Sequence, residues 1–257
     1  MPFMKVSLFR CRKRARAVLR RSGIAPVIAA LTFLSFFAFL GLCALCECLM
    51  LAVPPLPRSV SYVISVAASV LIGVLLLAPL SLGIDAFVLE HLRHGKADYS
   101  ILLSFYTARK RYLAATARML SRFLRFFGFA ILLWAVLALG GAVASSLYLG
   151  GDAVRATLVL CVTVLFFALT LLFWILSAAR LFLTDAILAS SPLLTHRQAK
   201  ALSALLTRAY RAKIVCHALS FLPLFLLSFL LLGIPLMCVI PYERVSRNEM
   251  ALRLLKG

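Results

Sequence analysis

Acidic residues are what this sequence most lacks. Eight Asp and Glu stand against 28 Lys and Arg in 257 residues, a balance that suits loops beside an anionic leaflet. Charge of both signs is thin as well, at 14% of residues, against roughly 25% in soluble domains. Also missing are the phosphate-cradling GxxxxGK[ST] loop, the GxSxG nucleophile turn and the GxGxxG dinucleotide fingerprint. No connection between apolar runs reaches the roughly 50 residues of a small domain, which excludes a separate catalytic domain between them. What the sequence does have is apolar surface: 64% of residues are hydrophobic and the mean hydropathy is +1.05. A soluble fold cannot hide that much, so the expected solvent is hydrocarbon.

Five runs reach the ~20 residues that a spanning helix needs: 24–53, 60–84, 123–149, 154–183 and 214–240. The first is about twice a signal peptide's ~7–15-residue core and reads as an uncleaved anchor. The fold class is therefore all-α: a polytopic transmembrane helix bundle of five spans. A basic cytoplasmic segment, 1–23, precedes the membrane domain, 24–240, and a tail, 241–257, follows it. Run one closes at Pro54-Pro55-Leu56-Pro57 and run three at Gly150-Gly151-Asp152, both tight turns.

The net charge of +20 is spread over three connections instead of one face. That pattern argues against nucleic acid and for loops beside anionic headgroups. Eight Lys and Arg precede run one, eight follow run two and six follow run four, whereas Arg58 and Arg155 stand alone on the short turns. The positive-inside rule then puts the N-terminus in the cytoplasm. Five crossings would put the four basic residues of the tail outside. Pro223, Gly233 and Pro235 offer an alternative, a last segment that bends back.

The stretch after run four explains itself locally. Asp185 lies at the inner end of that run, and Ser190-Ser191-Pro192 stops the helix. Thr195 and Gln198 form a T-x-x-Q capping box for a new helix. Arg197, Lys200, Arg208 and Arg211 share one of its faces, and Ala199, Leu202, Leu206 and Ala209 another. After run two, a helix from Asp98 carries Arg111, Arg118, Arg122 and Arg125 on one stripe. Both read as amphipathic helices at the cytoplasmic interface, and Arg111, Arg118, Arg122, Arg197, Lys200, Arg208 and Arg211 are the expected anionic-lipid contacts. Asp85-Ala86-Phe87-Val88-Leu89 and Asp185-Ala186-Ile187-Leu188-Ala189 recur 100 residues apart. Ser104 to Arg109 matches Ser203 to Arg208 downstream. The pattern suggests a parallel internal repeat of inward helix, amphipathic helix and outward helix.

From Asp185 to Leu255 the chain resembles a bacterial integral-membrane family catalogued as domain of unknown function number 975. The residues that carry the resemblance are Asp185, Ala199, Ser203, Lys213, Ser220-Phe221, Gly233 and Pro241-Tyr242. Arg211 departs from that family's usual Gly. The resemblance implies a multi-pass bundle of the bacterial inner membrane and no known activity.

Ionisable residues inside a span are functional candidates by default. Glu47, Asp85 and Asp185 are the intramembrane or interfacial polar candidates, with pairing to nearby arginine as the plain reading of both aspartates. Glu90, His91 and His94 lack the order of a zincin helix, even with His196 as a third ligand. His217 reads as a hydrogen-bonded helix histidine. Cys43, Cys46 and Cys48 read as small apolar residues. No metal, cofactor or protein partner is implied. The expected function is a non-enzymatic accessory or lipid-associated membrane component. A small transporter or channel with an acidic intramembrane site is the alternative, and an intramembrane enzyme the third reading.

Overall fold

The computed structural model describes residues 7–51, 58–191, 193–231 and 235–256. They form eleven α-helices and no strand. The turn at Pro54-Pro55-Leu56-Pro57, the end of run one at Val53, and the breakers Pro192 and Gly233 lie outside the described residues.

Five helical stretches are long and apolar enough to cross a membrane: Ile24–Cys48, Ile64–His94, Arg109–Leu149, Ala153–Ser190 and Arg208–Ser228. Their outer faces carry large exposed apolar side chains, among them Phe37, Trp134, Leu139 and Phe173. A soluble monomer does not expose apolar surface on that scale, and lipid is the solvent that tolerates it. The protein is membrane-embedded.

Before the first span, α1 (Leu8–Ser22) buries Cys11 and Ala15 and ends at Gly23, whose φ of 62° only glycine adopts easily. The first two spans are α2 (Ile24–Leu51) and α3 (Arg58–His94). The expected helix from Asp98 divides at Ala108, which is extended. Its first part is a short α4 (Ser100–Thr107), and its basic part is the first four turns of α5 (Arg109–Leu149), continuous with the third span. Then α5 and α6 (Ala153–Arg180) form an antiparallel pair about the turn at Gly150 and Gly151. Asp152 caps α6 by accepting from the Arg155 amide at 3.2 Å. Gly140 lets the two helices touch: a Cβ there would stand 2.1 Å from the Thr163 hydroxyl oxygen.

The fourth span breaks after Arg180 and resumes as α7 (Thr184–Ser190). The Thr195–Gln198 capping box is present and starts α8 (His196–Leu206). The fifth stretch comes in pieces: a 3₁₀ turn (Arg208–Tyr210), α9 (Arg211–Leu219) and α10 (Leu222–Leu230). The segment read as a tail, 241–257, is helical over its described residues 241–256, which belong to a long helix, α11 (Leu236–Lys256). It packs against α1, α2 and α3 and buries Val245, Met250, Ala251 and Leu252. Arg14 of α1 reaches both Glu249 of α11, at 3.5 Å, and the Leu92 carbonyl of α3, at 3.3 Å. Helices α1 and α11 thus share one side of the bundle.

Candidate functional site

At the centre lie the two recurring segments. Asp85 through Leu89 and Asp185 through Leu188 are all buried, and α3 packs directly on α7. Each segment brings a carboxylate into the interior, where an isolated charge is costly. Each carboxylate is met by arginines from a distant helix.

Asp85 is fully buried. Its Oδ1 accepts from Arg244 Nε at 2.8 Å, Arg247 Nη2 at 3.1 Å and Asn248 Nδ2 at 3.3 Å. Arg244 also donates to the Ser81 carbonyl at 3.0 Å, which fixes its plane. These donors sit at steps of three and four on α11, so a single helix face delivers all of them. Burial alone would push the Arg247 guanidinium towards neutrality. Asp85 first, then Glu243, reverse that and hold it charged.

Asp185 is clamped by α5. Arg118 Nε and Nη2 donate to its two oxygens as a bidentate fork, and Arg122 Nη2 reaches Oδ2 at 3.4 Å. Arg118 is 3% exposed. It therefore cannot be the headgroup contact expected of it: its charge is spent inside the bundle. Arg122 is exposed but shares the same carboxylate. Arg197, Lys200 and Arg208 do stand on the exposed surface, with Arg111 and Arg211 half-buried.

Asp85 follows a proline inside a continuous helix and Asp185 follows a helix break, and in both segments hydroxyls of later elements bond to backbone groups there. In α3, Pro79 cannot donate to the Leu75 carbonyl four residues back. Tyr112 Oη donates to that oxygen at 3.1 Å, and Tyr106 Oη to the Leu76 carbonyl beside it. In the second copy, Ser203 Oγ donates to the Arg180 carbonyl at 2.9 Å and accepts from the Leu183 amide at 3.2 Å. Thr207 Oγ1 adds a bond to the same carbonyl at 3.3 Å. The buried stripe of α8 and its C-cap is therefore Ala199, Ser203 and Thr207. The expected apolar stripe is only partly used: Leu202 and Ala209 are exposed.

Beside the Asp185 clamp lies a cavity of about 700 Å³, within the roughly 300–1,000 Å³ of ligand sites. Its charged end holds Arg118, Arg122, Arg125, Asp185, Glu243 and Arg247, and its far wall holds Phe126, Leu171 and Trp174. Thr184, His196 and His217 also line it, and their side-chain polar atoms have no hydrogen-bond partner among the described residues. His217 thus differs from its expected reading: it is buried, ringed by Phe182 and Phe221 and unbonded. Burial, with Lys200 and Arg125 nearby, pulls His196 below the usual histidine range.

Asp85 and Asp185 come together, but Glu47 does not join them. It stands exposed on α2 with no ion pair among the described residues. His94 pairs with Glu90 at 3.5 Å, one turn apart. Among the described residues no three His, Cys, Asp or Glu side chains gather as metal ligands. Sequence reading missed Arg244, Arg247 and Asn248 as partners of Asp85, because α11 contains Pro241 and carries no apolar run after residue 240. The signal available was the Arg244–Arg247–Asn248 spacing, one helical face waiting for an anion.

Compared with family models, with curated proteins and with solved structures, the chain matches none.

Proposed function

We propose that this protein is a non-enzymatic, lipid-associated component of a bacterial inner membrane, with its N-terminus, its basic connections and its C-terminal helix on the cytoplasmic side. The observation that carries the reading is that Asp85 and Asp185 are each held by their own arginines. A transport site needs a carboxylate that can take and release a cation or proton in a hydrated path. Two arginines on each carboxylate serve cohesion instead. Glu47, the remaining acidic candidate, stands apart from both. The exposed Arg197, Lys200 and Arg208 add roughly 1 kcal/mol each of attraction where they meet an anionic leaflet.

On this reading the last apolar segment bends back after α10, so that α11 reaches α1 without the chain ending on the far side. The family resemblance belongs to the same proposal. Its residues perform structural tasks here: Asp185 is clamped, Ser203 caps the helix break, and Phe221 meets Tyr242 at 5.3 Å. Shared residues of that kind speak to architecture and assign no reaction.

The test is twofold. Reconstituted protein should give leak-level proton and cation flux, the same in wild type and Glu47→Gln, and should enrich anionic over zwitterionic lipid on purification from mixed membranes. Flux well above protein-free vesicles that falls in Glu47→Gln or Asp185→Asn would overturn the reading in favour of a transporter.

A further inference from the structure

We propose that the cavity beside Asp185 is a built site for one anionic phospholipid, its phosphate between Arg122 and Arg125 and its acyl chain along Phe126 and Trp174. The proposal rests on the lipid-associated reading and deepens it by naming the site and the ligand class.

Charge is the first argument. The lining holds four arginines against two carboxylates, Asp185 and Glu243. Arg118 is matched by Asp185, and Arg247 by Asp85, which Arg244 also serves. Arg122 keeps only the long 3.4 Å contact to an oxygen that Arg118 already holds. Arg125 donates Nε to the Ser121 carbonyl at 2.9 Å and has no carboxylate within pairing distance among the described residues. Positive charge is in excess where the medium screens it poorly, so an anion is the missing group.

Unmet hydrogen bonding is the second argument. Thr184 and His217 are 3% and 2% exposed, line the cavity and have no partner for their side-chain polar atoms among the described residues. Buried polar atoms are almost always satisfied, and a ligand oxygen or ordered water is the ordinary reason for an exception.

Shape is the third. From Ala179 to Leu171 the α6 wall of the cavity rises roughly 12 Å at 1.5 Å per residue, and it leads away from charge into apolar side chains. Phe126 and Trp174 meet edge to face at 6.2 Å. Phe126, Leu219 and Leu222 are exposed at the apolar end, where a membrane supplies acyl chains. A free phosphate would use the arginines and leave this wall unexplained.

Trp174 supplies the probe, since the only other tryptophan, Trp134, is exposed on α5. In a Trp134→Phe background, reconstitute the full chain into phosphatidylcholine vesicles doped with phosphatidylglycerol carrying brominated acyl chains. Compare them with vesicles doped with brominated phosphatidylcholine at the same mole fraction. The expected result is an about thirtyfold preference for the anionic lipid, read as preferential quenching of Trp174, as two cationic contacts predict. The preference should fall to about parity in Arg122→Gln/Arg125→Gln and persist in Arg197→Gln/Lys200→Gln. Leu171→Trp in a Trp174→Phe chain repeats the measurement from another point of the wall, should either arginine substitution fail to fold. Equal quenching by the two lipids overturns the proposal, as does displacement of the brominated lipid by inorganic phosphate alone. If the preference instead follows Arg197 and Lys200, general lipid association stands and the cavity site falls.

Discussion

At the scale of single residues, the clamp on Asp185 makes an asymmetric prediction. Asp185→Asn leaves Arg118 buried without its counter-charge and should cost about 3–5 kcal/mol. The double change Arg118→Met/Asp185→Leu removes both charges and should cost less than Asp185→Asn alone. Thermal melting of the detergent-solubilised protein, followed by circular dichroism, measures both. A double variant less stable than either single would remove the clamp from the account of stability. Glu47→Gln on the exposed face of α2 should move stability by no more than about 0.5 kcal/mol. His196 gives a pH dependence. Burial and nearby Lys200 and Arg125 lower its affinity for a proton in the folded chain, whereas the unfolded chain titrates near ~6.5. Its contribution is thus complete above about pH 6.5 and is lost as pH falls below that value. His196→Gln should flatten the melting temperature between about pH 7 and pH 5. Which residues were chemically unusual was readable from type and position, since Asp85 and Asp185 sit in apolar surroundings. Their partners were not, because a pairing across 159 residues, Arg244 to Asp85, leaves no periodic trace.

Helices and their breaks form the next scale. The division between α6 and α7 is held by Ser203 and Thr207 from α8. Ser203→Ala/Thr207→Val keeps the volume and removes the hydroxyls. It leaves the Leu183 amide and the Arg180 carbonyl unmet and should cost about 1–3 kcal/mol per orphaned group. Hydrogen exchange at 181–184 should rise before it does in the core of α6. Unchanged protection there would mean that the break is held some other way. Gly140→Val drives a side chain into Thr163 and should splay α5 from α6, costing about 1–3 kcal/mol. A cysteine pair that cross-links across that contact in wild type should then cross-link more slowly. The capping box and the apolar runs were legible because each signal is local. The split at Ala108 was not: Ser104 and Arg111 lie on one continuous stripe in sequence, and the divide follows from α4 docking onto α3. There the Leu102 carbonyl lies 2.1 Å from where a Gly83 Cβ would stand, so Gly83→Ala should dislodge α4.

For the molecule as a whole, the packing of α1 against α11 predicts topology. Tags at residue 7 and after residue 256 should be protected or labelled together in intact spheroplasts. Opposite accessibility would require an odd number of crossings and would separate α1 from α11. Arg14 to Glu249 at 3.5 Å, Arg12 over Phe221 at 5.2 Å and Arg16 over Tyr242 at 5.5 Å should each tolerate substitution singly and fail in combination, because such contacts are individually small. The number of apolar segments was plain from composition. Whether the last one crosses was not, since charge counting and crossing parity gave opposite answers for 241–257, and only the packing of α11 bears on it.

The guanidiniums that meet Asp85 lie 159 and 162 residues downstream of it. A ribosome therefore delivers α3 long before it delivers residues 244–248, and the carboxylate must wait, uncompensated, while three more apolar stretches are made. Until residues 244–248 emerge, the nascent bundle can be inserted but not latched. A chain stalled or truncated before Arg244 should be a substrate for membrane quality control even though every lipid-facing segment is already in place.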